Sequence, residues 1–181
     1  MSDHLRHCGQ LEFENLRPRQ LMTSLARPPD EFANFITHGL GFLLSLAAVG
    51  YLIAQIAGQP ADLLAACSLY SMTLLLVYGS STLSHLFYDS TWRQRFRTWD
   101  QASIFLLIAG TYTPFAVMYL DHGAWQWLLV CMWSLSTLGV WRVVQVRDLS
   151  SGDKLSYGVL GFLPVVALGE LSQRAPSAVL V

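Results

Sequence analysis

Charged side chains are scarce in this sequence. They make up 13% of its 181 residues, whereas soluble domains carry about 25%. The charges are also clustered, so that uncharged runs extend over 32–61, 63–88, 101–120 and 123–141. A helix of about 20 apolar residues is long enough to cross a bilayer core. The scarcity of charge therefore excludes an ordinary soluble domain and predicts a polytopic membrane protein.

Three further features that the sequence lacks narrow the class of protein. Residues 1–31 lack a short apolar core followed by a small-residue cleavage site, so we expect the first span itself to direct insertion. Of the three cysteines, Cys8, Cys67 and Cys131, only the first lies outside the predicted spans, which argues against a disulfide framework. The near-neutral net charge and the lack of a basic face give no reason to expect nucleic acid as a partner.

The expected fold class is an all-α, polytopic transmembrane helical bundle. A polar tail at 1–30 precedes it, and a polar turn is expected from Glu170 to Pro176. The fifth span is short and contains Pro164, so a re-entrant segment is the alternative there. Residues 177–181 begin another apolar segment that is too short to cross a bilayer, so the chain looks cut off within an incomplete span. The predicted spans lie near 32–57, 63–88, 100–120, 124–144 and 155–169.

The distribution of basic residues predicts the orientation. Ten of the eleven lie in the tail, the second connection or the fourth connection, and only Arg174 lies on the opposite side. Because cytoplasmic segments carry an excess of Lys and Arg, the amino terminus is expected in the cytoplasm, in a bacterial inner membrane. The ten are Arg6, Arg17, Arg19, Arg27, Arg93, Arg95, Arg97, Arg142, Arg147 and Lys154.

Polar side chains gather at the cytoplasmic ends of the first three predicted spans. Ser81 and His85 share one face of the second span, and a short loop carrying three arginines leads from there to Asp100, which opens the third span. Intramembrane polar groups of this kind face a bundle interior or a wet cavity rather than lipid. The first span begins with Glu31, Asn34 and His38.

These residues suit a metal site but also have simpler explanations. Zinc binds imidazole and lowers the pKa of its bound water to about 7, so His85 is a candidate ligand and Asp100 a candidate base. Ser81 is a candidate hydrogen-bond donor to the water or to a developing oxyanion. Alternatively, His85 is an interfacial histidine and Asp100 a helix N-cap. Glu31, Asn34 and His38 are better explained by polar packing than by metal ligation.

Three motifs resemble those of the hemolysin III family, which belongs with the adiponectin and progestin receptors. Residues 31–39, EFANFITHG, resemble its E-x-x-N-x-x-T-H-G opening. Residues 81–85, STLSH, resemble its S-T-L-x-H signature, and residues 107–115, LIAGTYTPF, resemble its L-I-A-G-T-Y-T-P-F segment. The resemblance covers roughly residues 31–170, and the three motifs occur in the family's order on the corresponding spans.

The resemblance implies a seven-helix bundle, of which about five spans are present here, with zinc near the cytoplasmic face. It assigns His85 as a zinc ligand and Asp100 as the carboxylate that holds or polarises the zinc-bound water. It places two more ligands on an H-x-x-x-H pair in the seventh span, and this sequence contains no such pair. The sequence also departs from the family at Ser84, where a tyrosine is usual, and at Gln101, where a histidine is usual.

The function expected from this resemblance is zinc-dependent hydrolysis of a lipid amide, since receptor members of the family look like ceramidases. Membrane lipids are the expected partners. Two alternatives stay open: a non-enzymatic membrane protein, either a pore-forming cytolysin or a receptor-like unit, and an inactive truncated family member. The oligomeric state is not predicted.

Overall fold

A computed structural model describes residues 29–87, 89–146 and 151–175. Every regular element in these ranges is helical. Five stretches are long and apolar enough to cross a membrane, namely Asp30–Gln55, Ala61–Leu86, Thr91–Tyr119, Trp125–Val146 and Lys154–Arg174. The chain is therefore an all-α, multi-pass integral membrane protein, as predicted. Its helices are α1 (Pro29–Gln55), α2 (Ala61–Leu86), α3 (Ser90–Tyr119), α4 (Trp125–Val146), α5 (Ser151–Phe162) and α6 (Leu168–Arg174), with a 3-10 segment at Leu163–Ala167.

The chain divides into two compact units, residues 1–34 and 35–181. Glu31 and Asn34 belong to the first unit, and the sites discussed below lie in the second. The predicted tail falls almost entirely outside the described residues, as does the incomplete span predicted at 177–181.

The third predicted span begins ten residues too late. The structure starts α3 at Ser90, and the Asp89 carboxylate caps it by accepting hydrogen bonds from the backbone nitrogens of Thr91 (2.9 Å) and Trp92 (3.1 Å). An N-cap carboxylate satisfies donors that the first helical turn leaves unpaired. The predicted arginine loop is thus helical, and the prediction that Asp100 caps the helix is wrong because Asp89 does so.

The fifth span is longer than predicted. Pro164 lies in the first turn of the 3-10 segment, where its missing N–H breaks no hydrogen bond. The helical path therefore continues to Arg174, and the polar turn predicted from Glu170 is helical as well. On α6, Glu170 Oε1 accepts hydrogen bonds from Arg174 Nε (2.6 Å) and His122 Nε2 (3.1 Å), which ties the α3–α4 turn to α6.

Helix α3 is the centre of the second unit. Ala102, Ala109 and Ala116 recur every seven residues along it and are almost fully buried. Small residues at this spacing let neighbouring membrane helices approach closely. A hydrogen bond also joins α3 to α4, in which Ser136 Oγ on α4 donates to the backbone oxygen of Phe105 on α3 (2.9 Å).

Helix α1 packs on α2 through a glycine beside the candidate site. A Cβ atom built on Gly41 would lie 2.5 Å from the Tyr78 ring, closer than side-chain atoms approach one another. A larger residue at position 41 would therefore force the Tyr78 ring to move if α1 is to keep this contact with α2. The contact brings residues 38 and 85 to the same level of the bundle.

Candidate functional site at the α2–α3 turn

Ser81 and Asp100 form the best-defined pair of the candidate site. Ser81 lies on the last turns of α2 and is only 4% exposed, while Asp100 is half-buried on α3. The Ser81 hydroxyl lies close enough to the Asp100 carboxylate to act as a hydrogen-bond donor to it. The helical hairpin thus brings together two of the three predicted site residues, which are 19 positions apart in the sequence.

His85 lies one turn beyond Ser81 and next to His38, one of the polar residues predicted at the same end of the bundle. The rings of His85 and His38 stack with their centres 5.5 Å apart and their planes at 11°. Both histidines lie close enough to Asp100 to interact with its charge. The site therefore contains two imidazoles beside one carboxylate.

Arg97 supplies a fixed positive charge to this group. It lies three residues before Asp100 on α3, a spacing that places two side chains on neighbouring positions of a helix surface, and it interacts electrostatically with the carboxylate. Because guanidinium groups stay protonated in proteins, Arg97 places a permanent positive charge near the Asp100 carboxylate. The extension of α3 to Ser90 places this arginine in the site.

The closeness of Asp100 limits what Ser81 can do. A serine hydroxyl has a single proton to donate, and an ionised carboxylate can only accept. Ser81 can therefore donate its proton to Asp100 or to an oxyanion, but not to both at once. The geometry favours a positioning role in which Ser81 fixes the orientation of the carboxylate.

The residues fit zinc in donor type but not in number. Imidazole and carboxylate are ordinary zinc ligands, and catalytic zinc usually has three protein ligands. Within residues 29–87, 89–146 and 151–175, no three His, Cys, Asp or Glu side chains converge enough to hold a metal ion. Two stacked, nearly parallel rings also direct their in-plane lone pairs side by side rather than toward a common ion, which makes His38 a neighbour of His85 rather than its co-ligand.

The sequence analysis placed His38 and Arg97 at this end of the bundle but assigned neither to the site. His38 was assigned to polar packing, although its position in the E-x-x-N-x-x-T-H-G segment was a signal that it faces the bundle. Arg97 was assigned to a loop. Its spacing of three residues from Asp100 would have indicated proximity had the helix been extended toward Asp89.

Comparison with known proteins places these residues in a family. A family model described as "Haemolysin-III related" matches residues 27–179. The chain belongs to this family. It is 36% identical to "Hemolysin-3" of Bacillus cereus over 148 residues, which are 80% of this chain and 67% of that protein. It is also 36% identical to a "Hemolysin-3 homolog" of Bacillus subtilis (strain 168) over 145 residues, covering 78% and 68% of the two chains. No solved structure matches it.

Family membership confirms the resemblance drawn from the three motifs. The S-T-L-x-H motif carries Ser81 and His85, and the E-x-x-N-x-x-T-H-G motif carries His38. In the structure, these two haemolysin III motifs meet through the stacked histidines. The roles of the individual residues stay predictions, and we develop them next.

Proposed function

We propose that this haemolysin III-related protein acts in the zinc-dependent hydrolysis of a lipid amide, with its site near the cytoplasmic leaflet. The observation that carries the proposal is the grouping of Ser81, His85 and Asp100, three polar side chains that interact between membrane helices. Polar groups inside a membrane protein are costly and usually mark a functional site. The resemblance of the family's receptor members to ceramidases supplies the substrate class.

Each residue has a distinct role in this proposal. His85 is the zinc ligand contributed by α2, and the stacked ring of His38 fixes its orientation. Asp100 would accept a proton from the attacking water and pass it to the leaving amine as the amide C–N bond is replaced by a C–O bond, and Ser81 would hold the carboxylate in place. When bound, zinc supplies a water acidic enough to lose that proton near neutral pH. A complete site also needs the two ligands that the resemblance assigns to an H-x-x-x-H pair.

Metal content tests the ligand role. We expect purified protein to bind added zinc, and His85→Ala to lose most of that binding. His122→Ala is the matched control, because His122 pairs with Glu170 at the other end of α3. Equal and negligible zinc in the wild type and His85→Ala, measured by elemental mass spectrometry, would remove the basis of the proposal.

Activity tests the role of Asp100. Removal of a general base lowers a rate by about 10²–10⁴-fold, so we expect Asp100→Asn to reduce the release of fatty acid from a ceramide by that factor. Asp62→Asn serves as the control, because Asp62 lies in the first turn of α2, at its opposite end. Undiminished hydrolysis by Asp100→Asn would contradict this assignment.

The names of the two Bacillus relatives favour a second candidate, lysis of membranes by pore formation. This activity does not depend on a metal-bound water, so it predicts leakage of a dye from liposomes that is unchanged by His85→Ala. A pore would show such leakage without any fatty acid release. A hydrolase would show fatty acid release, and His85→Ala would abolish it.

A further inference from the structure

A second site lies on α2 and α3, apart from the residues discussed above. An apolar groove of about 350 Å³ runs between these helices, and its walls include Leu76 and Leu83 of α2 and Phe96 and Trp99 of α3. Ser81, His85 and Asp100 do not line it. Because the groove belongs to segments that cross the membrane, its surroundings are lipid.

One end of the groove carries an aromatic and cationic cluster. Phe87 and Phe96 stack with ring centres 5.2 Å apart and planes at 7°, and Trp92 lies 6.3 Å from each. The Arg95 guanidinium carbon lies 5.2 Å from the centre of the Trp92 ring. Such a cation–π contact holds the charge in place without neutralising it.

The helical register aligns this charge with the groove. Positions 92, 95, 96 and 99 share one face of α3, so Arg95 lies one turn before Trp99, which lines the groove, and next to Phe96, which also lines it. Arg95 is exposed, and the described residues offer it no carboxylate partner. The other two arginines of the segment differ, since Arg97 interacts with Asp100 and Arg93 is half-buried.

We propose that this groove binds one acyl chain of an anionic phospholipid while Arg95 contacts the lipid phosphate. The groove matches the acyl chain of the phospholipid, and Arg95 matches its phosphate. The apolar walls suit a hydrocarbon chain, and an arginine fork matches phosphate oxygens. Tryptophans such as Trp92 and Trp99 are typical of the membrane interface, where lipid phosphates lie.

Lipid binding measured by native mass spectrometry tests the proposal. Purified protein in detergent is titrated with dioleoyl phosphatidylglycerol and, separately, with dioleoyl phosphatidylcholine. A basic residue near an anionic surface contributes about 1 kcal/mol, which is a factor of about five in affinity. We therefore expect Arg95→Gln to weaken phosphatidylglycerol binding about fivefold and to weaken phosphatidylcholine binding less, because the choline cation of that lipid offsets the charge of its phosphate.

Two further variants separate a defined site from general attraction. Arg93→Gln removes the same charge two residues away and should change phosphatidylglycerol affinity less than twofold. Leu76→Trp fills the groove and should weaken both lipids, because it displaces the chain. Melting temperatures in detergent confirm that each variant is folded.

Three results would overturn the proposal. Equal losses for Arg95→Gln and Arg93→Gln would indicate diffuse electrostatic attraction, and no loss for Arg95→Gln would show that its guanidinium does not contact the lipid. Displacement of bound phosphatidylglycerol by glycerol phosphate at millimolar concentration would show that the site recognises a free phosphate rather than a lipid. The readout is independent of zinc and of hydrolysis, so the outcome is separate from that of the proposed function.

Discussion

Ser81→Ala tests whether the Ser81–Asp100 pair stabilises the fold. The hydroxyl is almost fully buried, so water cannot replace it as a donor to the carboxylate. Hydrogen bonds to charged groups contribute about 1.5–3 kcal/mol, whereas polar pairs in a membrane protein average about 0.6 kcal/mol and reach about 1.7. Since Asp100 is only half-buried, we expect a loss of about 1.5 kcal/mol, or about 3–6 °C in melting temperature for a chain of this size.

A double-mutant cycle isolates the pair. Melting is followed by the fluorescence of the six tryptophans in detergent, for the wild type, Ser81→Ala, Asp100→Leu and the double variant. We expect the two substitutions to be non-additive by about 1 kcal/mol, because either one alone breaks the same bond. Ser134→Ala is the control, since Ser134 is exposed and bonds only within its own helix, and it should change stability by less than about 0.5 kcal/mol. Additivity of Ser81→Ala and Asp100→Leu within about 0.5 kcal/mol would refute the coupling.

Three further predictions follow from other contacts. His38→Ala should weaken zinc binding about 10–100-fold, because loss of a residue that orients a metal ligand usually has an effect of this size. His38→Phe should recover part of the affinity by restoring the ring stack. Equal affinities of the wild type and His38→Ala in a zinc competition assay would contradict the orienting role of His38. Gly41→Leu should lower stability by about 1–3 kcal/mol through overlap with Tyr78, whereas Gly50→Leu, where no atom lies within 4 Å, should be neutral or stabilising in the same melting assay. A cysteine at Gln173 should react with an impermeant thiol reagent in intact cells, and a cysteine in the amino-terminal tail only after permeabilisation; the reverse pattern would invert the predicted topology.

The number of spans was predictable because the bilayer leaves few structural options. An uncharged run of 20 residues must satisfy its backbone hydrogen bonds internally, and a helix does this. The ends of α1, α2 and α4 accordingly lie within a few residues of the predicted limits. The hydropathy pattern did not predict the helical segments that extend beyond the apolar core, namely the arginine segment of α3 and α6. Charged residues there were interpreted as the end of a helix.

The arrangement of the candidate site was only partly predictable. Sequence spacing places Ser81 and His85 on one face of a helix, and the hairpin brings Asp100 to the same level. Whether His38 faces this group depends on the rotation of α1 about its own axis. In the observed rotation Gly41 lies against the Tyr78 ring, a tertiary contact that no local pattern in α1 specifies.

The length of α3 limits how deep its residues can lie in the bilayer. Its 30 residues extend about 45 Å, whereas the hydrocarbon core of a bilayer is about 30 Å thick. The surplus of about 15 Å corresponds to about ten residues, so at least one end of α3 extends into the headgroup region. Asp100 is the eleventh residue of the helix, and a surplus at the amino-terminal end would place it near the boundary between hydrocarbon and headgroups. In the proposed function, a carboxylate at that height would meet the linkage that joins an acyl chain to its backbone rather than the bonds along the chain.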